Sequence, residues 1–200
     1  MDSSDPLLPK LLVLVILILI NAFFAAAEIA VISLSETKLR RQADDGDRKA
    51  KKLLMLMQSP DRFLSAIQIA ITLAGFLSSA FAADSFAGRL VHYLTEEKGF
   101  TAIPTATLNT IMVVLITMVL SYFSLVLGEL VPKRIAMKKT EAVARVTVGA
   151  VTAVADVFRP VIWLLSKSTN GVLRVLHIDP KADEEDVSED EIRMMVDLGE

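Results

Sequence analysis

An all-α integral membrane domain, with three transmembrane helices and amphipathic helices beside them at the membrane surface, is the fold predicted by three features of this sequence. Its 200 residues are 53% hydrophobic, with a mean hydropathy of +0.51, against the roughly 45–50% apolar content of soluble domains. The 21 basic and 24 acidic residues are crowded into separate segments. Between them lie three apolar stretches, each long enough to cross a hydrocarbon core roughly 30 Å thick at about 1.5 Å per residue.

The first span covers about residues 7–34. Leu11 to Ala27 is interrupted only by Asn21, and the apolar pattern resumes after Glu28 through Ile32. Asp2 and Asp5 stand where a signal peptide would carry basic residues, and no small-residue cleavage site follows cleanly, so the span is expected to be retained. The second covers about 61–86. Ser59 is the expected N-cap, and Pro60 the first helical residue, where its missing N–H costs nothing. No charge appears from Phe63 to Ala83, and Asp84 is expected to close the span. After a polar connection from His92 to Lys98, the third covers about 103–131, entered at Ile103-Pro104. Together they form a core over 1–140.

Basic residues in short loops are retained in the cytoplasm. The loop after span one carries Lys38, Arg40, Arg41, Arg48, Lys49, Lys51 and Lys52, and the exit from span three carries Lys133, Arg134, Lys138 and Lys139. The connection between spans two and three has Arg89 and Lys98 against Glu96 and Glu97. The expected topology in the cell membrane is N-terminus outside and C-terminus cytoplasmic. Arg48 to Lys52 followed by Leu53 to Met57 predicts an interfacial helix. Over 141–180, Arg145, Asp156, Arg159-Pro160 and Lys167 divide the apolar sequence into pieces too short to span, predicting a juxtamembrane belt. The alternative, a fourth span, would move the acidic tail outside. Residues 181–200 form an acidic linker in which Ser188 and Glu191 make a capping box, leading toward a further cytoplasmic domain.

Composition excludes several functions. A net charge of −3 with an acidic tail does not suit nucleic acid, and zero cysteines exclude thiolate metal sites and cysteine catalysis. His92 and His177 lack ligand spacing. Nucleophilic catalysis has no support, and no enzyme is expected.

Polar residues inside the spans are the candidates for function. A carboxylate at the centre of a span costs about 2.5–3.5 kcal/mol and tends to mark an ion or proton pathway. Glu28 and Glu129 are such residues, and neither has an obvious basic neighbour, although Lys133 follows Glu129 by four and leaves snorkelling open for it. Asn21, Ala25 and Glu28 share a face of span one, as do Gln68, Thr72, Gly75 and Ser79 on span two, and Thr117, Ser121, Ser124 and Gly128 on span three. Such stripes equally suit close helix packing in lipid. Within Gly128-Glu129-Leu130-Val131-Pro132-Lys133, Pro132 cannot donate to the Gly128 carbonyl. The freed carbonyl beside a carboxylate offers the oxygen ligands that Mg²⁺ prefers. The plainer reading is that Pro132 ends the helix.

At these residues the sequence resembles the transmembrane domain of the CNNM/CorC family of magnesium transport proteins. The matching motifs are Asn21-Ala22-Phe23-Phe24-Ala25-Ala26-Ala27-Glu28, Gly75-Phe76-Leu77-Ser78-Ser79-Ala80 and Gly128 to Lys133, in this order across essentially the whole chain. The segment Glu189 to Val196 looks like the family's lead into a cytoplasmic pair of CBS modules. The resemblance implies a homodimer of three-helix subunits with a juxtamembrane belt, a dehydrated Mg²⁺ site among the helices, and Na⁺-linked export. Carried over, the ligands are Ser79, the Gly128 carbonyl and Glu129, with Glu28 at a polar family position. Asn21, Thr72 and Ser124 are secondary candidates, and Pro132 is the expected hinge. The sequence departs from the family pattern at Ala25, Thr72 and Gly75, where serine and asparagines are usual. The expected function is alternating-access Mg²⁺ efflux. The alternative is a membrane anchor that dimerises and positions a nucleotide-binding CBS module without transporting ions.

Overall fold

The computed structural model describes residues 7–99 and 103–178, except for the side chain of Asp84. The acidic linker and its capping box at Ser188 lie outside the described residues. Every regular element among the described residues is helical. Among the described residues three continuous helices are long and apolar enough to cross a membrane, Leu7–Ile32, Pro60–Glu97 and Thr105–Lys138. A fourth crossing arises only if α8 and α9, defined below, are counted as one broken span.

Helix α1 (Leu7–Ile32) is the centre of the first unit, which runs to Phe158. Apart from Phe24 the buried side chains of its second half are small or medium-sized, with Ala25, Ala27 and Ala30 fully enclosed. Small residues let helices approach closely where lipid offers no competing hydrophobic drive. α1 packs there against α4 (Pro60–Ala82), α7 (Val131–Lys138) and α8 (Thr140–Val157). Two short helices complete the floor: α2 (Glu36–Asp44) and α3 (Arg48–Met57). Gly46 joins them with a φ of 94°, which side chains resist. Asp47 then caps α3 by accepting from the backbone N–H groups of Lys49 (2.8 Å) and Ala50 (3.2 Å). The helix expected over this basic-then-apolar stretch is therefore present, with its Leu53 fully buried. With Leu39, Ile67, Val31 and Val151 it forms the centre of the core.

Ser59 occupies the N-cap of α4 and Pro60 its first turn as expected, yet the serine side chain makes no capping hydrogen bond. The second long helix runs well past the expected exit. A π turn at Ala83–Ala87 leads into α5 (Gly88–His92) and a second π turn at Tyr93–Glu97. Ala83, Ala87 and Leu90 sustain helix there. The Thr95 hydroxyl donates to the Val91 carbonyl (2.9 Å), and His92 Nδ1 lies 3.0 Å from Glu96 Oε1 one turn on. The stop comes at Gly99, whose φ of 63° ends the helix in the left-handed region.

The third long helix comprises α6 (Thr105–Leu125), a π turn at Val126–Leu130, and α7. Only 6% of its most apolar stretch is buried. α8 differs from a helix lying on a surface, since Ala144, Thr147, Val148, Val151 and Ala155 are buried. Alternating small and β-branched residues make it a packing partner of both α1 and α4. The chain breaks at Phe158, before the expected Arg159-Pro160, and α9 (Arg159–Val175) belongs to the second unit. Within α9, Lys167 Nζ lies 5.0 Å from the Trp163 ring centroid, a cation–π contact.

Candidate functional site: a polar cleft among three spans

Pro132 shapes the site from within α7. Lacking an N–H, it cannot close the α-helical bond to Gly128, and the helix widens into the π turn over Val126–Leu130. The Gly128 carbonyl is not left free, as the sequence suggested. It accepts a hydrogen bond from Asn21 Nδ2 at 3.2 Å across the α1 interface. Contact is close: a Cβ on Gly128 would lie 3.0 Å from Asn21 Nδ2 and 3.4 Å from the Ile18 carbonyl oxygen. Asn21 is 5% exposed, and its other amide atom, Oδ1, is buried without a hydrogen-bond partner. Such an orphan acceptor costs free energy unless something fills it.

Asn21 lines a cleft of about 340 Å³ bounded by all three long helices. Gly75, Ser78 and Ser79 enter from α4, Ser121 and Ser124 from α6, and Glu129 from the π turn. Four of the residues singled out in the sequence, Asn21, Ser79, Ser124 and Glu129, thus meet in one place. Ser121, already on the span-three stripe, and Ser78, beside Ser79, join them as further hydroxyl donors and acceptors. Thr72 is not among the lining residues; its hydroxyl accepts from Gln68 Nε2 at 3.3 Å on the same helix.

Glu28 also stands apart from the cleft. Its Oε2 lies 3.0 Å from Lys133 Nζ, and the same ammonium lies 3.0 Å from Glu129 Oε1. The expectation that neither carboxylate has a basic neighbour is corrected by this pairing. Lys133 was visible at i+4 from Glu129, but its reach to Glu28 depends on α1 and α7 packing together. Among the described residues no group of three or more His, Cys, Asp or Glu could hold a metal ion. Oxygen ligands in the cleft therefore come from one carboxylate, hydroxyls and an amide.

The transmembrane N-terminal domain of the cyclin M (CNNM) proteins matches residues 12–200. The chain belongs to this family. It is similar to a UPF0053 protein of Synechocystis, 37% identical over 192 residues, covering 95% of this chain and 41% of that protein. It is 30% identical over 181 residues to the polyamine export protein of Haemophilus influenzae, covering 90% of this chain and 40% of that one. The polyamine export protein of Salmonella typhimurium is 27% identical over 193 residues, 96% of this chain and 42% of the relative. The chain thus spans about two fifths of the length of these relatives.

In this cyclin M domain the helices beside the three spans are tied by charge. Lys38 pairs with Glu141, Gln42 Nε2 donates to Glu141 Oε1 (2.8 Å), Arg145 donates to Gln42 Oε1 (3.1 Å), and Arg145 also meets Asp47 (2.6 Å). The Ala50 and Lys49 N–H groups, with Arg145, hold Asp47 below its ordinary pKa of 3.8. Lys38, then Gln42, does the same to Glu141, ordinarily at 4.5. One network thereby fixes α2, the turn after it, and α8.

Proposed function

We propose that this is the ion-translocating domain of a cation transporter, with the cleft among α1, α4 and α6 as the cation site and Mg²⁺ as its cargo. The observation carrying this reading is the convergence of polar groups from three spans on one cleft, among them Asn21, whose Oδ1 is buried without a partner. Hydroxyl, amide and carboxylate oxygens are hard ligands, and Mg²⁺ commonly keeps several waters while using one or two carboxylates. A cleft of about 340 Å³ has room for those waters, each taking roughly 30 Å³. A partly hydrated ion also suits a chain with Ala25 and Gly75 where relatives of the resemblance carry ligands. The reading includes a homodimer, Na⁺-linked efflux by alternating access, a hinge at Pro132, and a cytoplasmic C-terminus leading to a CBS pair.

A polyamine is the second reading. Two relatives are named polyamine export proteins, and the Glu28–Glu129 pair already accommodates a primary ammonium, that of Lys133. A melting series with Mg²⁺, Ca²⁺, Na⁺ and spermidine on wild type and Glu129→Gln separates the cargoes. Mg²⁺ at a hundredfold excess over its Kd should stabilise wild type by about 2.7 kcal/mol through mass action, and Glu129→Gln should lose this. Stabilisation by spermidine alone would favour the second reading. No ion-dependent stabilisation, with Mg²⁺ flux in proteoliposomes unchanged in both Glu129→Gln and Glu28→Gln, would leave the membrane anchor.

A further inference from the structure

We propose that Lys133 is a built-in cation that occupies the Glu28–Glu129 pair when the cleft is empty and must leave when cargo binds. The proposal rests on the cation-transport reading and adds a residue that governs it. Glu129 is the shared element, lining the cleft while one of its oxygens holds Lys133 Nζ at 3.0 Å. The same ammonium reaches Glu28 on α1 at 3.0 Å, so one side chain closes α7 against α1. All three side chains are partly buried, at 25% exposed for Lys133, 22% for Glu28 and 34% for Glu129.

Charge counting makes the two cations exclusive. Two carboxylates and one ammonium leave the cluster at −1, and a divalent ion added to it would bring the total to +1 with two positive centres competing for Glu129. Two positive centres held at one carboxylate repel each other. Departure of Lys133 returns the cluster with its ion to neutrality. It also releases the only ion pair joining α1 to α7 among the described residues, freeing the helix after Pro132 to move. Cargo binding and release of the α1–α7 contact thus become one event.

A lysine seated nine-tenths of the time would weaken apparent cargo affinity about tenfold. Because the protein has no cysteine, Lys133→Cys introduces a single thiol that bromoethylamine converts into a lysine analogue. The proposal expects Lys133→Cys to bind Mg²⁺ about tenfold more tightly in melting titrations, with aminoethylation returning affinity to the wild-type value. A second measurement needs no variant: reductive methylation of Lys133, read by peptide mass spectrometry, should rise several-fold with Mg²⁺ while exposed Lys138 and Lys139 stay constant. Should Mg²⁺ bind wild type but Lys133→Cys bind no more tightly, or should Lys133 methylation not rise with Mg²⁺, Lys133 is not a competing occupant and the transport reading stands. Binding by Lys133→Cys but not wild type supports the competing lysine alone. If neither binds Mg²⁺, both proposals fall.

Discussion

The two halves of α1 have similar apolar content and opposite surroundings. From Leu7 to Ile20 only Leu14 is buried, and large side chains such as Leu8 and Leu19 stand exposed at 69% and 61%. From Asn21 to Ile32 the buried set is Asn21, Phe24, Ala25, Ala27, Ala30 and Val31. Side-chain size marks the difference better than hydrophobicity does. Large aliphatic residues need only an apolar solvent, whereas alanines gain their contacts when another helix comes close. The half that touches protein is the half beside the cleft and the charged cluster, so packing and the geometry of both polar features depend on the same backbone approach.

The comparison is broken most severely from the core beneath the second half. Leu53→Ala, at a fully enclosed position, is expected to cost about 2–5 kcal/mol, whereas Leu19→Ala should change stability by about 0.5 kcal/mol or less. Melting in detergent checks both. Next in size is Gly128→Val, which overpacks the Asn21 contact and should cost about 1–3 kcal/mol, with loss of Mg²⁺-dependent stabilisation. The smallest effect concerns the ionic network at the edge of the packed half. Asp47 and Glu141 both have lowered pKa values in the fold, so the unfolded chain takes up protons at higher pH than the folded one. Their contribution is present above the ordinary values of 3.8 and 4.5 and is lost as pH falls below them. Melting temperature should therefore decline on acidification through that window, and Asp47→Asn should flatten the decline. Solvent screening keeps this effect modest.

Hydropathy and the Ser/Gly stripes made the three long helices, the short helix after Gly46 and the Gly128–Lys133 break legible in sequence, because each is local. Much of the cleft was legible too, since Asn21, Ser79 and Ser124 stand on periodic polar faces and Glu129 is a carboxylate within an apolar span. What escaped depends on residues far apart in the chain. Lys133 reaches Glu28 only when α7 lies against α1, and Gly128 finds Asn21 for the same reason. The extension of the second helix to Glu97 was hidden because charge ends a span without ending a helix. The burial of α8 was hidden because its small and β-branched face gains its contacts only once α1 and α4 cover it.

The π turn at Val126–Leu130 has a consequence for angular phase. It inserts one residue beyond the α-helical count, and every residue of α7 is therefore rotated by about 100° relative to an unbroken α6. The orientation of Lys133 is thus inherited from a widened turn upstream of it. Because Pro132 denies Gly128 its α-helical bond, that phase is written into the sequence, and the meeting of Lys133 with Glu28 depends on a proline one residue before it.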